Sequence, residues 1–257
     1  MTVIDVSVLA LIPARSGSKG VPNKNFASLA GRSPLNRVID VCNALRGILT
    51  NYVVSSDVDW AANERVFEDE PMWRYGRWLL RPAELAQDDT PMIAVVQHAL
   101  RDIPGPPNQI LVLLQPTQPL RKPEHITKAI SLLRESGADS VVSVVELPPT
   151  HAGECQLNIV DVRGRIRVLP RMWGAKQASW NMLPRLRQHV SPVYIRDGTV
   201  YAFWRKTVSR YKQAPPRNNI YGNYVVPLII PASESCPLDT LEDWEHAEGL
   251  LLARQRT

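Results

Sequence analysis

Short runs of β-branched and aliphatic residues alternate with stretches of helical periodicity over residues 1–146 of this chain. Val6–Ile12 predicts a first strand and Asn51–Ser55 a second. Gln109–Leu114 is almost wholly apolar, the mark of a strand covered on both faces in a parallel sheet, and Ser140–Val145 reads the same way. Leu35, Val38, Ile39, Cys42 and Leu45 recur at helical spacing, so a helix is predicted over Pro34–Leu45, with Ser33 as N-cap and Pro34 in its first turn. Further helices are predicted over Thr90–Leu100, capped by Thr90 with Pro91 at the first position, and over Pro123–Leu133. This alternation implies an α/β fold built on a doubly wound, mostly parallel, Rossmann-like sheet.

The rhythm stops after Glu146. Residues 147–192 are rich in Pro, Arg and Trp and too long for a connecting loop. They predict an inserted small subdomain, with a hairpin pairing Asn158–Val160 to Ile166–Leu169. Strand patterns return at Gly198–Trp204 and Asn223–Ile230, and a helix over Leu241–Arg254 closes the chain. The expected organisation is therefore one α/β domain (residues 1–146 and 193–257) carrying an insertion at 147–192.

Composition narrows the function classes. A hydrophobic fraction of 44% supplies an ample core. No apolar run reaches the roughly 18 residues of a spanning helix. The apolar start follows Asp5 and precedes Arg15 and Lys19, the wrong charge order for a secretory leader, so a cytoplasmic location with no membrane partner is expected. Cys42, Cys155 and Cys236 lack any paired metal spacing and read as free, buried thiols. The formal charge of +5 is dispersed without a basic run, which argues against nucleic acid and suits an enzyme with anionic ligands.

The chemistry concentrates in Leu11-Ile-Pro-Ala-Arg-Ser-Gly-Ser-Lys-Gly-Val-Pro-Asn-Lys-Asn25, directly after the first strand. Ligands of open parallel sheets bind beyond the strands' carboxyl ends. Gly17 and Gly20 let backbone N–H groups converge on an anion. Arg15, Lys19 and Lys24 add cations, and Ser16 and Ser18 add hydroxyls, a mixture suited to a triphosphate. The spacing matches neither Gly-x-x-x-x-Gly-Lys-Ser/Thr nor Gly-x-Gly-x-x-Gly. Asp57 reads as a strand-end cap, and His98 and His125 as surface or packing residues of helices.

Pro13–Asn25 resembles the signature of the acylneuraminate cytidylyltransferase family, the CMP-sialic acid synthetases and their relatives. Four later blocks recur in the family's order: Val54–Asp57, Arg81-Pro-Ala-Glu-Leu-Ala-Gln-Asp88, Leu114-Gln-Pro-Thr-Gln-Pro-Leu-Arg121 and Leu238–Glu248. The resemblance implies transfer of CMP from CTP to a sugar acid, with Mg²⁺ as cofactor and a homodimer built on the inserted segment, where Trp173 and Trp180 fit an interface. It implies nucleotide contacts by Ala14, Arg15, Ser16, Gly17, Ser18, Lys19, Lys24, Asn25 and Arg81. Arg15, Lys19, Lys24 and Asp239 carry the catalytic roles, with Asp239 as the metal ligand. Gln115, Arg187, Gln188, Tyr194, Arg196 and Asp197 would meet the acceptor. Outside the resemblance, Arg81 reads as an ion-pair partner of Glu84 or Asp88.

The sequence departs from the family pattern mainly on the acceptor side. Gln118 replaces the usual Ser, Ile195 stands where a second arginine is usual with Arg196 one position on, and a lysine is missing near Pro148–Gly153. The closing Asp-x-Asp is reduced to Pro237-Leu238-Asp239. The donor loop thus implies CTP, while the acceptor stays open between a nonulosonic sugar acid and a small carboxylate or phosphonate. Pro237 also keeps open a CTP-binding relative without turnover.

Overall fold

The apolar run after Val6 forms strand β1 (Val8–Pro13), buried at every position. The structure, a computed structural model, describes residues 6–58, 76–148, 157–162, 165–170, 192–209 and 220–255. Helix α1 (Pro34–Ala44) follows the predicted face, burying Leu35, Val38, Ile39 and Cys42, and the Ser33 hydroxyl accepts from Asn36 N at 3.2 Å as an N-cap. Then come β2 (Asn51–Ser56), β3 (Gly76–Leu80), α2 (Met92–Asp102), β4 (Ile110–Leu113), α3 (Pro123–Ser136) and β5 (Ser140–Glu146). The chain continues through β6 (Leu157–Val162), β7 (Arg165–Pro170), β8 (Tyr194–Trp204), α4 (Arg205–Ser209), β9 (Val225–Ile229) and α5 (Leu241–Gln255).

Seven strands pair in the order β3-β2-β1-β4-β8-β5-β9. β1 lies parallel to β2 and β4, and β2 parallel to β3, whereas β8 runs antiparallel to β4 with Val112 opposite Ala202. The fold is thus the α/β, mostly parallel class that the pattern predicts. β6 and β7 form a separate antiparallel pair with Asn158 opposite Leu169, joining the two segments expected to form a hairpin. By compactness the chain divides into two units, Met1–Ser143 with Asp197–Thr257, and Val144–Arg196.

Core packing follows from this layering. Ala10, Ile12, Val54, Val112 and Ala202 of the sheet pack with Leu35, Ile39, Ile126, Ile130 and Leu133 of α1 and α3 in one cluster. Full burial of one such aliphatic side chain contributes about 1.5–3 kcal/mol. Pro227 lies on β9, an edge strand paired on one side only, the place in a sheet where a residue without an N–H is tolerated. Gly137, at φ +68°, ends α3 in the left-handed conformation that glycine adopts without cost.

Two local expectations need correction. Thr90 does not cap α2: its hydroxyl donates to Glu84 O at 3.2 Å, and Pro91 holds the cap position without a side-chain bond. β3 escaped the pattern because it is an edge strand of five residues with only Leu79 buried. Its first residue must be glycine, since any Cβ at Gly76 would enter the Tyr52 ring.

Candidate functional site

Strand order reverses at β1. The chain steps outward through β2 and β3, then returns to the other side of β1 as β4. The loops leaving the carboxyl ends of β1 and β4 therefore diverge around a crevice, the place where open α/β sheets bind ligands. Pro13–Asn25 is the loop leaving β1, and Leu114–Arg121 the loop leaving β4.

The first loop is braced from within. Ala14 N donates to Ser55 O at 2.9 Å, and Ser16 donates to the Asp57 carboxylate through N (2.9 Å) and Oγ (2.8 Å). Asp57 thus ties the phosphate-type loop to the end of β2, a larger role than a local cap. Ser18 Oγ donates to Val21 O at 2.5 Å and accepts from Lys24 N at 3.0 Å. Asn23 takes φ +52°, and its carbonyl accepts from Phe26 N and Ala27 N, closing the turn. Asn25 is buried and donates through Nδ2 to Arg15 O at 2.8 Å. Gly20 packs so closely on the Asp239 carbonyl that a Cβ would collide with it, whereas Gly17 faces open space. Neither glycine is at positive φ, so close approach, at Gly20 alone, is what the structure requires.

The loop's cations divide into two groups. Arg15 Nη2 and Lys19 Nζ grip the two oxygens of Asp88 at 2.5 and 2.6 Å. Lys24 Nζ turns the other way, donating to Leu238 O at 2.8 Å and lying 3.5 Å from Asp239 Oδ1. The bond from Asp88 holds the Lys19 ammonium above its ordinary value, and the bonds from Lys19 and Arg15 hold the Asp88 carboxyl below its own. Asp88 is thereby committed to these two residues, so the expected Arg81–Asp88 ion pair is not formed. Arg81 N donates to Ser56 O at 2.7 Å, and its guanidinium is buried with Nε unpartnered. Burial lowers its pKa, partly offset by the nearby Asp57.

The segment carrying Asp239 is fixed from beneath. Leu238 is fully buried in a cluster with Leu29, Leu120, Cys236 and, from α5, Ala247 and Leu251. Leu238 N donates to Thr117 O at 2.9 Å, joining this segment to the loop after β4. The Asp243 carboxylate accepts from Asp239 N (3.1 Å), Thr240 N (2.8 Å) and Thr240 Oγ1 (2.9 Å), while Asp243 N donates to Thr240 Oγ1, a reciprocal cap at the start of α5. Asp239 itself is exposed. Among the described residues no cluster of three or more His, Cys, Asp or Glu could hold a metal. A single exposed carboxylate, paired only loosely with Lys24 at 3.5 Å, would suit a Mg²⁺ ion that draws its other ligands from phosphate oxygens and water.

The loop after β4 holds a second buried network. Arg121 donates from Nε to Thr199 O at 2.6 Å and from Nη2 to Gln115 O at 2.5 Å, with Nη1 unpartnered. Burial pushes this guanidinium down to about 10, so it stays charged at neutral pH. The Asp197 carboxylate accepts from Thr199 N at 3.1 Å and from the Thr199 hydroxyl. Gln118 is buried between Asp197 O, to which it donates, and Cys236 N, from which it accepts at 3.2 Å. Tyr194 and Arg196 are carried by β8 with exposed side chains, in the Val144–Arg196 unit, and Arg187, Gln188, Trp173 and Trp180 lie outside the described residues. Cys42 and Cys236 are free and buried, and Cys155 lies outside the described residues. His125 proves to be more than packing: it is buried with Nε2 2.7 Å from Glu234, which also meets Lys122 Nζ at 2.6 Å.

Among the described residues, buried polar side-chain atoms without partners include Ser55 Oγ at the end of β2, Arg81 Nε just past β3, and Asn25 Oδ1 and Arg121 Nη1 in the loops after β1 and β4, with others, Asn36 Oδ1, Arg37 Nε and His98 Nδ1, on α1 and α2. Buried groups of this kind are ordinarily satisfied, so those in the loops after the strands are available to a polar ligand. Comparison with known proteins fits the crevice. A family model described as "Cytidylyltransferase" matches residues 9–254. The CMP-N,N'-diacetyllegionaminic acid synthase of Legionella pneumophila is 30% identical over 96% of this chain and 97% of its own length. An N-acylneuraminate cytidylyltransferase of Streptococcus agalactiae is 27% identical over 95% of this chain, which spans 53% of that relative. In fold, a CMP:2-keto-3-deoxy-manno-octonic acid synthetase complexed with CTP superposes with TM-score 0.68 at 16% identity, over 96% of this chain and 99% of that one.

Proposed function

This chain belongs to the cytidylyltransferase family, and on that premise we propose that it transfers CMP from CTP to an acidic acceptor, a nonulosonic sugar acid by first choice. The observation that carries the reading is the division of the β1 loop's cations, two gripping Asp88 and one beside Asp239. Arg15 and Lys19 exchange Asp88 for the β- and γ-phosphates of CTP, and Lys24 draws charge from the departing pyrophosphate. Asn25 and Arg81, each with a buried unpartnered atom, complete the nucleotide contacts. Ala14, Ser16, Gly17 and Ser18 shape the loop that presents them.

The acceptor's hydroxyl oxygen bonds to the α-phosphorus in line as the bond to pyrophosphate breaks, and the hydroxyl proton leaves to solvent. Such a step depends chiefly on alignment and charge neutralisation. Asp239 is the residue that would hold Mg²⁺ against the triphosphate, where the ion supplies positive charge to the phosphate oxygens. Gln115 and Asp197 are assigned to the acceptor, together with Arg187, Gln188, Tyr194 and Arg196 by their resemblance to family positions. The same reading gives a cytoplasmic homodimer joined through residues 147–192, which light scattering of the purified chain tests directly.

The function is tested by incubating the protein with CTP, Mg²⁺ and a panel of acids while pyrophosphate is measured. Release with a nonulosonic acid supports the first choice. Release only with a small carboxylate or phosphonate moves the assignment to that class, to which the altered acceptor-side residues Gln118 and Ile195 point. No release with any acid refutes the proposal.

A further inference from the structure

We propose that Gln118 is a positioning residue that couples the acceptor side of the crevice to the segment bearing Asp239. The inference rests on the assignment of Gln115 and Asp197 to the acceptor. Gln118 is 1% exposed, and both ends of its amide are engaged with backbone from distant parts of the chain. Nε2 donates to Asp197 O, and Oε1 accepts from Cys236 N at 3.2 Å. The partners fix the amide's orientation, since a carbonyl demands a donor and an N–H an acceptor.

Each contact lies beside an assigned group. Asp197 precedes Gly198, which at φ +80° passes so near Gln115 that a Cβ there would stand 2.7 Å from Gln115 Oε1 and 3.8 Å from Gln118 Cγ. Cys236 stands three residues before Asp239, and the residue preceding Gln118, Thr117, accepts from Leu238 N at 2.9 Å. One turn of chain thus grips the acceptor wall with a side chain and the carboxylate segment with both side chain and backbone. A Met side chain would fill the space with neither bond, a Glu would lack the donor, and a Ser would not reach across. Movement of Asp197–Gly198 when an acid binds is transmitted through this amide to the Asp239 segment.

The test compares wild type, Gln118→Met and Gln118→Asn by steady-state pyrophosphate release, varying acid and CTP separately, with equilibrium CTP binding measured alongside. Gln118→Met is expected to raise the acid's KM and lower kcat, each by about tenfold, as fits two buried groups left unpaired. The CTP Kd should stay within about threefold, because the hydrogen bonds of Gln118 go to Asp197 and Cys236 and the donor loop meets the Asp239 segment only further along, at Leu238 and Asp239, and Gln118→Asn should restore part of both parameters. Unchanged kcat and acid KM, or a CTP Kd that rises in step with them, overturns the proposal. Should wild type bind CTP yet consume no acid, the acceptor assignment fails separately. The coupling is then decided by hydrogen exchange of Cys236–Asp239 in Gln118→Met: faster exchange supports it, and unchanged exchange overturns it.

Discussion

The Lys19 ammonium lies 2.6 Å from one oxygen of Asp88, whose other oxygen is held 2.5 Å from Arg15. One carboxylate therefore occupies two of the three loop cations assigned to the triphosphate, and CTP must displace it. The pairs are solvent-exposed and individually weak. Asp88→Asn is expected to tighten CTP binding by about two- to fivefold, measured as Kd by calorimetry. Weaker binding instead would mean that Asp88 orients the cations more than it competes for them.

The pH behaviour of that contrast follows from the two shifts. Asp88, depressed below 3.8, contributes above the normal carboxylate range and loses its contribution as pH falls through its lowered value. Lys19, raised above 10.5, contributes fully below that value and loses it only as pH rises through the raised one. The ratio of wild-type to Asp88→Asn Kd should stay constant between about pH 5 and pH 9.

The two glycines of the loop separate sharply. Gly20→Ala would drive a methyl into the Asp239 carbonyl, where backbone on both sides must shift, while Gly17→Ala meets nothing within 4 Å. We expect kcat/KM to fall by at least about tenfold for Gly20→Ala and to stay within about twofold for Gly17→Ala. Equal effects in the two variants would contradict the close packing of the loop on the Asp239 segment.

Much of this was legible from residue order. Apolar periodicity located β1, β2, β4 and β5, the face of α1 and the position of the ligand loop, because each is governed by burial next to it in sequence. β3 was lost because an edge strand with one buried residue carries no apolar signature. Residue order points to Glu84 or Asp88 as the partner of Arg81, because both lie within seven residues of it. The true partners of Asp88, Arg15 and Lys19, come from a loop on another strand, and only the parallel pairing of β1, β2 and β3 brings them together. The Gln118 bridge was likewise unreadable, since both its partners lie more than 75 residues away.

Leu238 is buried while Pro237 and Asp239 on either side of it are exposed. The side chains of 237 and 239 therefore both turn away from the core. Pro237→Asp should add a second carboxylate on the side of Asp239 and lower the Mg²⁺ concentration for half-maximal activity by about three- to tenfold. Asp239→Asn should raise it. An unchanged Mg²⁺ requirement in both would remove Asp239 from the metal site.

Glu234 joins the turn before the Asp239 segment to the start of α3 through Lys122 and His125. Their bonds, Lys122 first, hold its carboxyl down to about 2, against an ordinary 4.5. A depressed carboxyl stabilises the fold above its unfolded value and loses that contribution as pH falls through the folded one. Glu234→Gln should lower the Tm at pH 7 by about 2–4 °C, with the difference narrowing as the pH is taken from about 4.5 towards 2. A difference independent of pH would assign the loss to packing.

The antiparallel strand β8 lies between β4 and β5, although residues 147–193 separate it from β5 and a longer stretch from β4. During synthesis the ribosome releases β1 to β5 well before β8 emerges, so the centre of the sheet stays open with two unpaired strand edges until then. Such edges invite misassociation while they wait. Chains truncated before Trp204 should accordingly aggregate, even though every residue of the β1 loop is already present.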